Sequence, residues 1–257
     1  MSTDAAAASR ARVHERARRR GVNPVVYWVV RALIQPFSLL YFRLQRLGRE
    51  HLPDSGPVIV AANHRSFLDP FMIGLVTRRP IYYVAKRELF SHPLVAWFLS
   101  SLGAFPVDRG SGDGQMLETA RTILARGGVV LIFPEGTRTR PGPLGRAKRG
   151  VGRLALETGA AVVPLAIIGT EDVRRGWRIR PRGVRIAVGR PLMFPRPETA
   201  SPQLAAAVTD RIWPEVVDLW VSLGGAPAPA ARVEAPATEP VVAALPLPAG
   251  GRRATAA

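Results

Sequence analysis

His64 and Asp69 stand five residues apart in NHRSFLDP, an imidazole and a carboxylate placed where an apolar β-branched run, Val58 to Val60, gives way to a short helical stretch. On a continuous helix five residues turn the chain by about 500°, which would leave the two side chains about 140° apart. With His64 in a turn and Asp69 at a helix start, they can meet. The carboxylate would then accept a hydrogen bond from one ring nitrogen, fix the tautomer and leave the other nitrogen as a base. General-base catalysis of this kind contributes about 10²- to 10⁴-fold in rate. Taken alone, the pair also fits a surface histidine beside a helix cap. Ser66, two residues from His64, is expected to cap or shape the turn rather than to act as an acylated nucleophile. A second polar cluster, FPEGTRTR from Phe133 to Arg140, again follows an apolar strand. There Glu135 could accept a substrate hydroxyl, Gly136 lets backbone approach a ligand closely, and Arg138 offers a guanidinium fork to a phosphate. A third piece, GAFPVDR, sets Arg109 after a short extended run, with Asp108 in place to hold its guanidinium.

The elements that must position these groups follow from periodicity and punctuation. Strands are expected at Val58 to Ala61 or Ala62, Ile81 to Ala85, Ala104 to Val107, Val129 to Phe133 and Ala161 to Ile168. Helices are expected at Asp69 to Val76, with Asp69 as N-cap and Pro70 at the first helical position, and at Leu89 to Leu102, Asp113 to Arg126, Lys148 to Thr158 and Ser201 to Leu223. The apolar helix from Leu94 to Leu102, with Trp97 and Phe98, is either core or one wall of an acyl-chain groove. Trp177 to Arg180 and Val184 to Val188 read as a hairpin at a sheet edge. Alternating strands and helices predict an α/β fold, a largely parallel or mixed sheet flanked by helices. Strand ends are where open sheets of this class hold their ligands.

The 257 residues carry 36 Lys plus Arg against 19 Asp plus Glu, a net charge of +17, and 47% are hydrophobic, enough for a sizeable core. Only Lys86 and Lys148 are lysines, so the charge is guanidinium, suited to planar two-pronged contacts with phosphate or carboxylate. Twenty of the 36 fall in three runs, Arg10 to Arg20, Arg138 to Arg153 and Arg174 to Arg196. Such runs point to anionic lipid, phosphorylated substrates or nucleic acid. Nucleic acid is disfavoured because exposed aromatic residues, which a single-strand binder needs for base stacking, are not expected to interleave with the basic runs. With no cysteine, thiolate catalysis, disulfides and cysteine-held metals are excluded. The four histidines have no ligand spacing, so no metal is expected.

Residues 1–20 read as a basic mobile arm or short exposed helix. Residues 21–50 contain PVVYWVVRALIQPFSLLYFRLQRL, about long enough for a span of roughly 20 residues, but Arg31 and Pro36 interrupt its middle. A central arginine costs about 2.5–3.5 kcal/mol on insertion scales, so the segment is expected to lie in the membrane interface, with Arg43, Arg46 and Arg49 at headgroup level. The α/β domain is expected over residues 51–224. Residues 225–257, with 12 Ala and 6 Pro, are expected to be disordered.

Together NHRSFLDP, GAFPVDR, FPEGTRTR and VVPLAI have the order and spacing of the four motifs of the glycerolipid acyltransferase family, which includes 1-acylglycerol-3-phosphate acyltransferases; the chain resembles that family from about Pro57 to Ile168. The resemblance implies transfer of an acyl group from an acyl-CoA or acyl-carrier-protein (acyl-ACP) thioester to a glycerol phosphate hydroxyl at a membrane surface, with no cofactor beyond that co-substrate. It implies His64 as base and Asp69 as its orienting partner. It places Arg109, Glu135, Gly136, Thr137 and Arg138 at the phosphate and glycerol site, and Pro164 at the wall near the acyl chain. Lys86 is a further phosphate contact to be tested. The expected acceptor is 1-acylglycerol 3-phosphate (lysophosphatidate), giving phosphatidate. Other acceptors are glycerol 3-phosphate, a different lysophospholipid or a glycolipid. Expected partners are the acyl donor, the lysophospholipid and anionic membrane lipids, with the enzyme peripheral or monotopic on the cytoplasmic face. Two readings of other classes stand beside this one: a thioesterase, and a non-catalytic basic module that binds lipid or nucleic acid.

Overall fold

The computed structural model describes residues 3–107, 114–139, 142–175 and 177–227. Five parallel strands form the centre of one sheet: β2 (Val58–Ala62), β3 (Ile81–Lys86), β4 (Ala104–Val107), β5 (Val129–Ile132) and β6 (Ala161–Ile168). An edge is added by β9 (Arg185–Val188), antiparallel to β6, and β1 (Gln45–Leu47), parallel to β9. The order is β1-β9-β6-β2-β5-β3-β4, a mixed sheet. Successive side chains of a strand point to opposite faces. Along β2, Val58, Val60 and Ala62 enter one core and Ile59 and Ala61 the other. The first core is covered by α3 (Asp69–Gly74) and α4 (Pro93–Ser101), and the second by α5 (Gly114–Ala125), α6 (Gly150–Thr158) and α7 (Pro202–Ser222). The α/β architecture expected from the sequence is therefore present, in its mixed-sheet form.

Several expectations are corrected. Of the two readings of the N-terminal segment the described residues form the helix, and it is packed rather than exposed: α1 (Thr3–Arg19), rich in alanine and so a strong helix former, buries Val13, His14 and Ala17, and His14 Nδ1 lies 2.8 Å from Thr119 Oγ1 on α5. Trp177 to Arg180 does not pair with Val184 to Val188. Instead β7 (Arg174–Arg175) pairs with β8 (Arg178–Ile179), and β9 pairs with β6. The apolar residues of β9 are needed in the main core, where Val184 and Ile186 are fully buried. Helix α4 starts only at Pro93, after a short 3₁₀ turn over Arg87–Phe90, because proline suits a first helical turn but not an interior one. Most of the expected disordered tail, from residue 228, and the DRGSGD stretch from Asp108 to Asp113 lie outside the described residues.

The N-terminal apolar helix is α2 (Pro24–Tyr41), capped by Asn23 Oδ1 on Val26 N at 3.2 Å. Arg31, the charge that argued against a span, folds toward the body of the protein, where its guanidinium donates to the carbonyls of Gly74 and Leu75 at the end of α3 and lies 5.5 Å from the Trp28 ring. Val25, Val29, Leu33, Phe37 and Leu40 form the opposite, exposed stripe, which carries no charge. Beyond Tyr41 the helix gives way to β1. Arg46 Nη1 donates to Leu75 O at 2.9 Å and Arg49 Nε to Val76 O at 3.0 Å. These two arginines are carbonyl caps for α3, where cations are favoured.

Candidate active site

The parallel strands β2, β5 and β6 end on one edge of the sheet, and the chain leaves each into a polar turn. At the end of β2, Asn63 is fully buried and ties that strand to β6: its Nδ2 donates to Ile167 O at 2.9 Å, and its Oδ1 accepts from Ile167 N at 2.8 Å. A side chain that closes both halves of a backbone pair extends the sheet by one position without a strand residue. His64 is thereby held at the rim.

Asp69 is fully buried and accepts four hydrogen bonds. Its Oδ2 takes His64 Nδ1 at 2.8 Å, Arg65 N at 2.7 Å and Ser66 N at 2.7 Å, and its Oδ1 takes Thr170 Oγ1 at 2.5 Å. It does not cap its own helix, as the sequence suggested; it is the first residue of α3, and its carboxylate reaches back to gather the preceding turn. Ser66 shapes that turn, its Oγ accepting from Leu68 N at 3.3 Å. The carboxylate sees only donors, so the imidazole presents Nδ1–H to it and Nε2 is left with a lone pair. Nε2 has no partner among the described residues, and the side chain keeps 10% of its surface accessible. The ring stacks on Phe133 with centroids 4.0 Å apart and planes 17° apart, which fixes the direction of Nε2.

Glu135, expected to accept a substrate hydroxyl, is a strap instead. Its Oε2 accepts from His64 N at 2.9 Å and its Oε1 from Gly145 N at 2.8 Å. It thus joins the β5 turn to the backbone of His64 and to the loop ahead of α6. The same loop is held by Arg65, whose Nη2 donates to the carbonyls of Gly142 and Pro143 and whose guanidinium lies 4.8 Å from the Trp220 ring, and by Trp213 Nε1 on Gly145 O at 3.0 Å. Gly136 takes φ +72°, and a Cβ there would lie 2.8 Å from Lys148 Nζ. Glycine therefore serves both the turn and the close approach of that lysine. Thr137 and Arg138 are exposed on the same turn, and Thr139 N donates to His64 O at 3.0 Å.

Of the site residues named from sequence, Glu135 touches His64 directly, and Gly136, Thr137 and Arg138 follow it on the turn whose Thr139 N donates to His64 O. Lys86 ends β3, two strands from β2, and pairs with Glu88 at 3.3 Å. Pro164 is buried in the middle of β6, where its carbonyl accepts from Gly189 N at 2.8 Å, and it pairs in register with Ala61, three residues before His64. Arg109 lies outside the described residues. Thr170, Arg65, Phe133 and Lys148 were missed as site residues. Thr170 is 101 positions from Asp69, and only its place just past a strand end marked it. Near it, Glu171 has its carboxyl pushed above the usual range, first by burial and further by the Asp172 and Asp69 carboxylates, against the hydrogen bond it accepts from Gly169 N at 2.9 Å.

The acyltransferase family profile matches residues 43–168. The 1-acyl-sn-glycerol-3-phosphate acyltransferase of Bacillus subtilis (strain 168) is 33% identical over 148 residues, covering 56% of this chain and 71% of that protein. The chloroplastic 1-acyl-sn-glycerol-3-phosphate acyltransferase LPAT1 of Arabidopsis thaliana is 34% identical over 136 residues, covering 52% of this chain and 38% of that protein. Across the plant and algal relatives the match spans between 38% and 52% of their length. Among solved structures, the 1-acyl-sn-glycerophosphate (LPA) acyltransferase PlsC from Thermotoga maritima superposes with a TM-score of 0.58 at 26% identity, covering 80% of this chain and 82% of that one.

Proposed function

The chain belongs to the acyltransferase family, and from that premise we propose that it is a membrane-associated enzyme of phospholipid biosynthesis that transfers a fatty acyl group from an acyl-CoA or acyl-ACP thioester to the free hydroxyl of 1-acylglycerol 3-phosphate, forming phosphatidate. The observation that carries this reading is the His64–Asp69 pair, a base whose tautomer is fixed by a buried carboxylate and whose free nitrogen is at an accessible rim.

The acceptor hydroxyl attacks the thioester carbonyl while His64 Nε2 takes its proton. The imidazolium formed is stabilised by Asp69 at 2.8 Å. The tetrahedral oxyanion then collapses, breaking the C–S bond, and the departing thiolate receives the proton from His64. A thioester is already activated, so no acyl-enzyme is required. Arg138, two residues on from Gly136, and Lys148, packed against that glycine, supply the cations for the acceptor phosphate, with Thr137 as a hydroxyl donor. Arg109 and Lys86 are further candidates for that phosphate. No cofactor takes part. The uncharged stripe of α2 lies in the interface of an anionic membrane, with the enzyme peripheral or monotopic on the cytoplasmic face.

The test is acyl transfer from labelled acyl-CoA to lysophosphatidate in detergent micelles. Phosphatidate is the expected product, and His64→Ala is expected to lose about 10²-fold or more. Free fatty acid as the sole product would make the protein a thioesterase, and undiminished transfer by His64→Ala would remove the base.

A further inference from the structure

Between Arg174 and Arg182 the chain reads RRGWRIRPR, five arginines in nine residues with no acidic side chain. The fold puts Arg174–Arg175 and Arg178–Ile179 of this stretch into the small β7–β8 ribbon, outside the main sheet, with Arg182 just beyond it. Trp177 is 84% exposed there and Ile179 is 55% exposed. Arg178 lies 5.1 Å from the Trp177 ring, and Arg178 and Arg182 are exposed. An indole this open to water contributes nothing to the core, so the apolar effect does not explain its place.

Two contacts locate the ribbon. Tyr41, the last residue of α2, donates its hydroxyl to Ile179 O at 3.0 Å, and its ring stacks on Phe37, which is 50% exposed on the α2 stripe. The stripe Val25, Val29, Leu33, Phe37 and Leu40 therefore runs on into the ribbon. On its other side Arg174 lies 6.0 Å from the ring of Phe67, inside the turn that Asp69 gathers. The ribbon thus bridges the apolar helix and the rim that carries His64.

We propose that the β7–β8 ribbon is a second membrane anchor, with Trp177 seated at headgroup level and Arg178 and Arg182 on anionic lipid phosphates. This rests on the membrane reading above and extends it from one helix to a two-part footprint. The charge selects the occupant. Tryptophan is the residue enriched at membrane interfaces, and clustered arginines are attracted to an anionic leaflet, whereas two copies of this chain would bring like-charged ribbons together. Anchoring at both α2 and the ribbon holds the His64 rim between them, where a lysolipid enters from the membrane with its headgroup foremost.

The chain has no cysteine, so Trp177→Cys creates a unique site for an environment-sensitive fluorophore, and Asp210→Cys on α7 gives a reference position. Both labelled proteins are mixed with phosphatidylcholine vesicles with and without about 30% phosphatidylglycerol. The expected result is a blue shift and quenching by nitroxide headgroup lipid at position 177 alone. Arg178→Gln with Arg182→Gln should weaken binding to anionic vesicles by about fivefold per arginine, with little change on neutral ones and with unchanged turnover of a monomeric short-chain acceptor. If the protein sediments with vesicles while the probe at 177 stays in water, the ribbon anchor is refuted and the α2 reading survives. Failure to sediment at all refutes both. A shift that depends on protein concentration without vesicles would make the ribbon a contact between copies.

Discussion

Asp69→Asn separates charge from architecture at this site. The asparagine oxygen can occupy the Oδ2 position and keep the hydrogen bonds from Arg65 N, Ser66 N and His64 Nδ1, because its NH₂ then falls at the Oδ1 position opposite Thr170 Oγ1. A hydroxyl accepts as readily as it donates, so the 2.5 Å contact survives with its direction reversed. What is lost is the negative charge facing the imidazolium that forms during proton transfer. Two unit charges about 4 Å apart interact by about 4 kcal/mol at an effective dielectric of about 20, and Asp69 is fully buried, so solvent screens little of it. At about 1.4 kcal/mol per power of ten, kcat should fall by about 10²- to 10³-fold. Asp69→Ala instead strands two backbone N–H groups and a hydroxyl, each costing about 1–3 kcal/mol, a large share of the about 5–15 kcal/mol that holds a domain together. The assay is phosphatidate formation in micelles alongside thermal melting by circular dichroism. Asp69→Asn should melt close to the wild type and be nearly inactive, while Asp69→Ala should melt well below both. An Asp69→Asn protein with turnover within threefold of wild type would refute the role of the charge, and equal destabilisation of the two variants would refute the reversal at Thr170.

Glu135→Gln must set its NH₂ against either His64 N or Gly145 N, since both carboxylate oxygens accept from backbone donors; the cost of about 1–3 kcal/mol should lower Tm by about 2–12 °C, at the 2–4 °C per kcal/mol usual for this size. Arg65→Lys keeps a charge but cannot span the Gly142 and Pro143 carbonyls while stacking on Trp220. It should raise KM for the acceptor about tenfold, the worth of one charged hydrogen bond, with a smaller change in kcat in steady-state kinetics. Glu171→Gln probes pH. Because the folded protein holds the Glu171 carboxyl above its ordinary range, the favourable contribution of its protonated form is complete in acid and is lost as pH rises through the folded value. The amide should therefore melt higher than wild type at pH 7.5, and the two curves should converge below about pH 4, the range of an unperturbed glutamate.

The five central strands were legible because each is a short apolar run bounded by turn residues, and parallel strands buried on both faces read that way. The His64–Asp69 contact was legible because its two members are near in sequence and the turn between them is local. Glu135 was visible as a polar residue at a strand end, yet its use as a strap was not, because its two donors lie 71 and 10 positions away and no local pattern encodes them. Where Pro164 and Lys86 stand relative to the His64 rim was not legible for a related reason. A residue in a strand reaches a rim only according to register and strand order, and neither follows from the run of residues itself. The edge was misread because Val184 to Val188 fits a hairpin strand as well as a core strand. Only competition for burial against β6 decides between them.

The sequence by itself determined the elements and the chemistry they carry: apolar periods, proline and glycine punctuation, and a base, a carboxylate and guanidinium groups at strand ends. Those are properties of neighbouring residues and need no partner. The tertiary structure decided which groups complete one another: Thr170 on Asp69, Glu135 across to His64 N, Arg31 folded down to leave α2 uncharged outside, and the Trp177 ribbon set against its end. Each of those contacts joins residues between about 40 and 140 positions apart. Such contacts exist only once the sheet has fixed strand order and register, because burial and hydrogen-bond satisfaction are conditions on the packed whole.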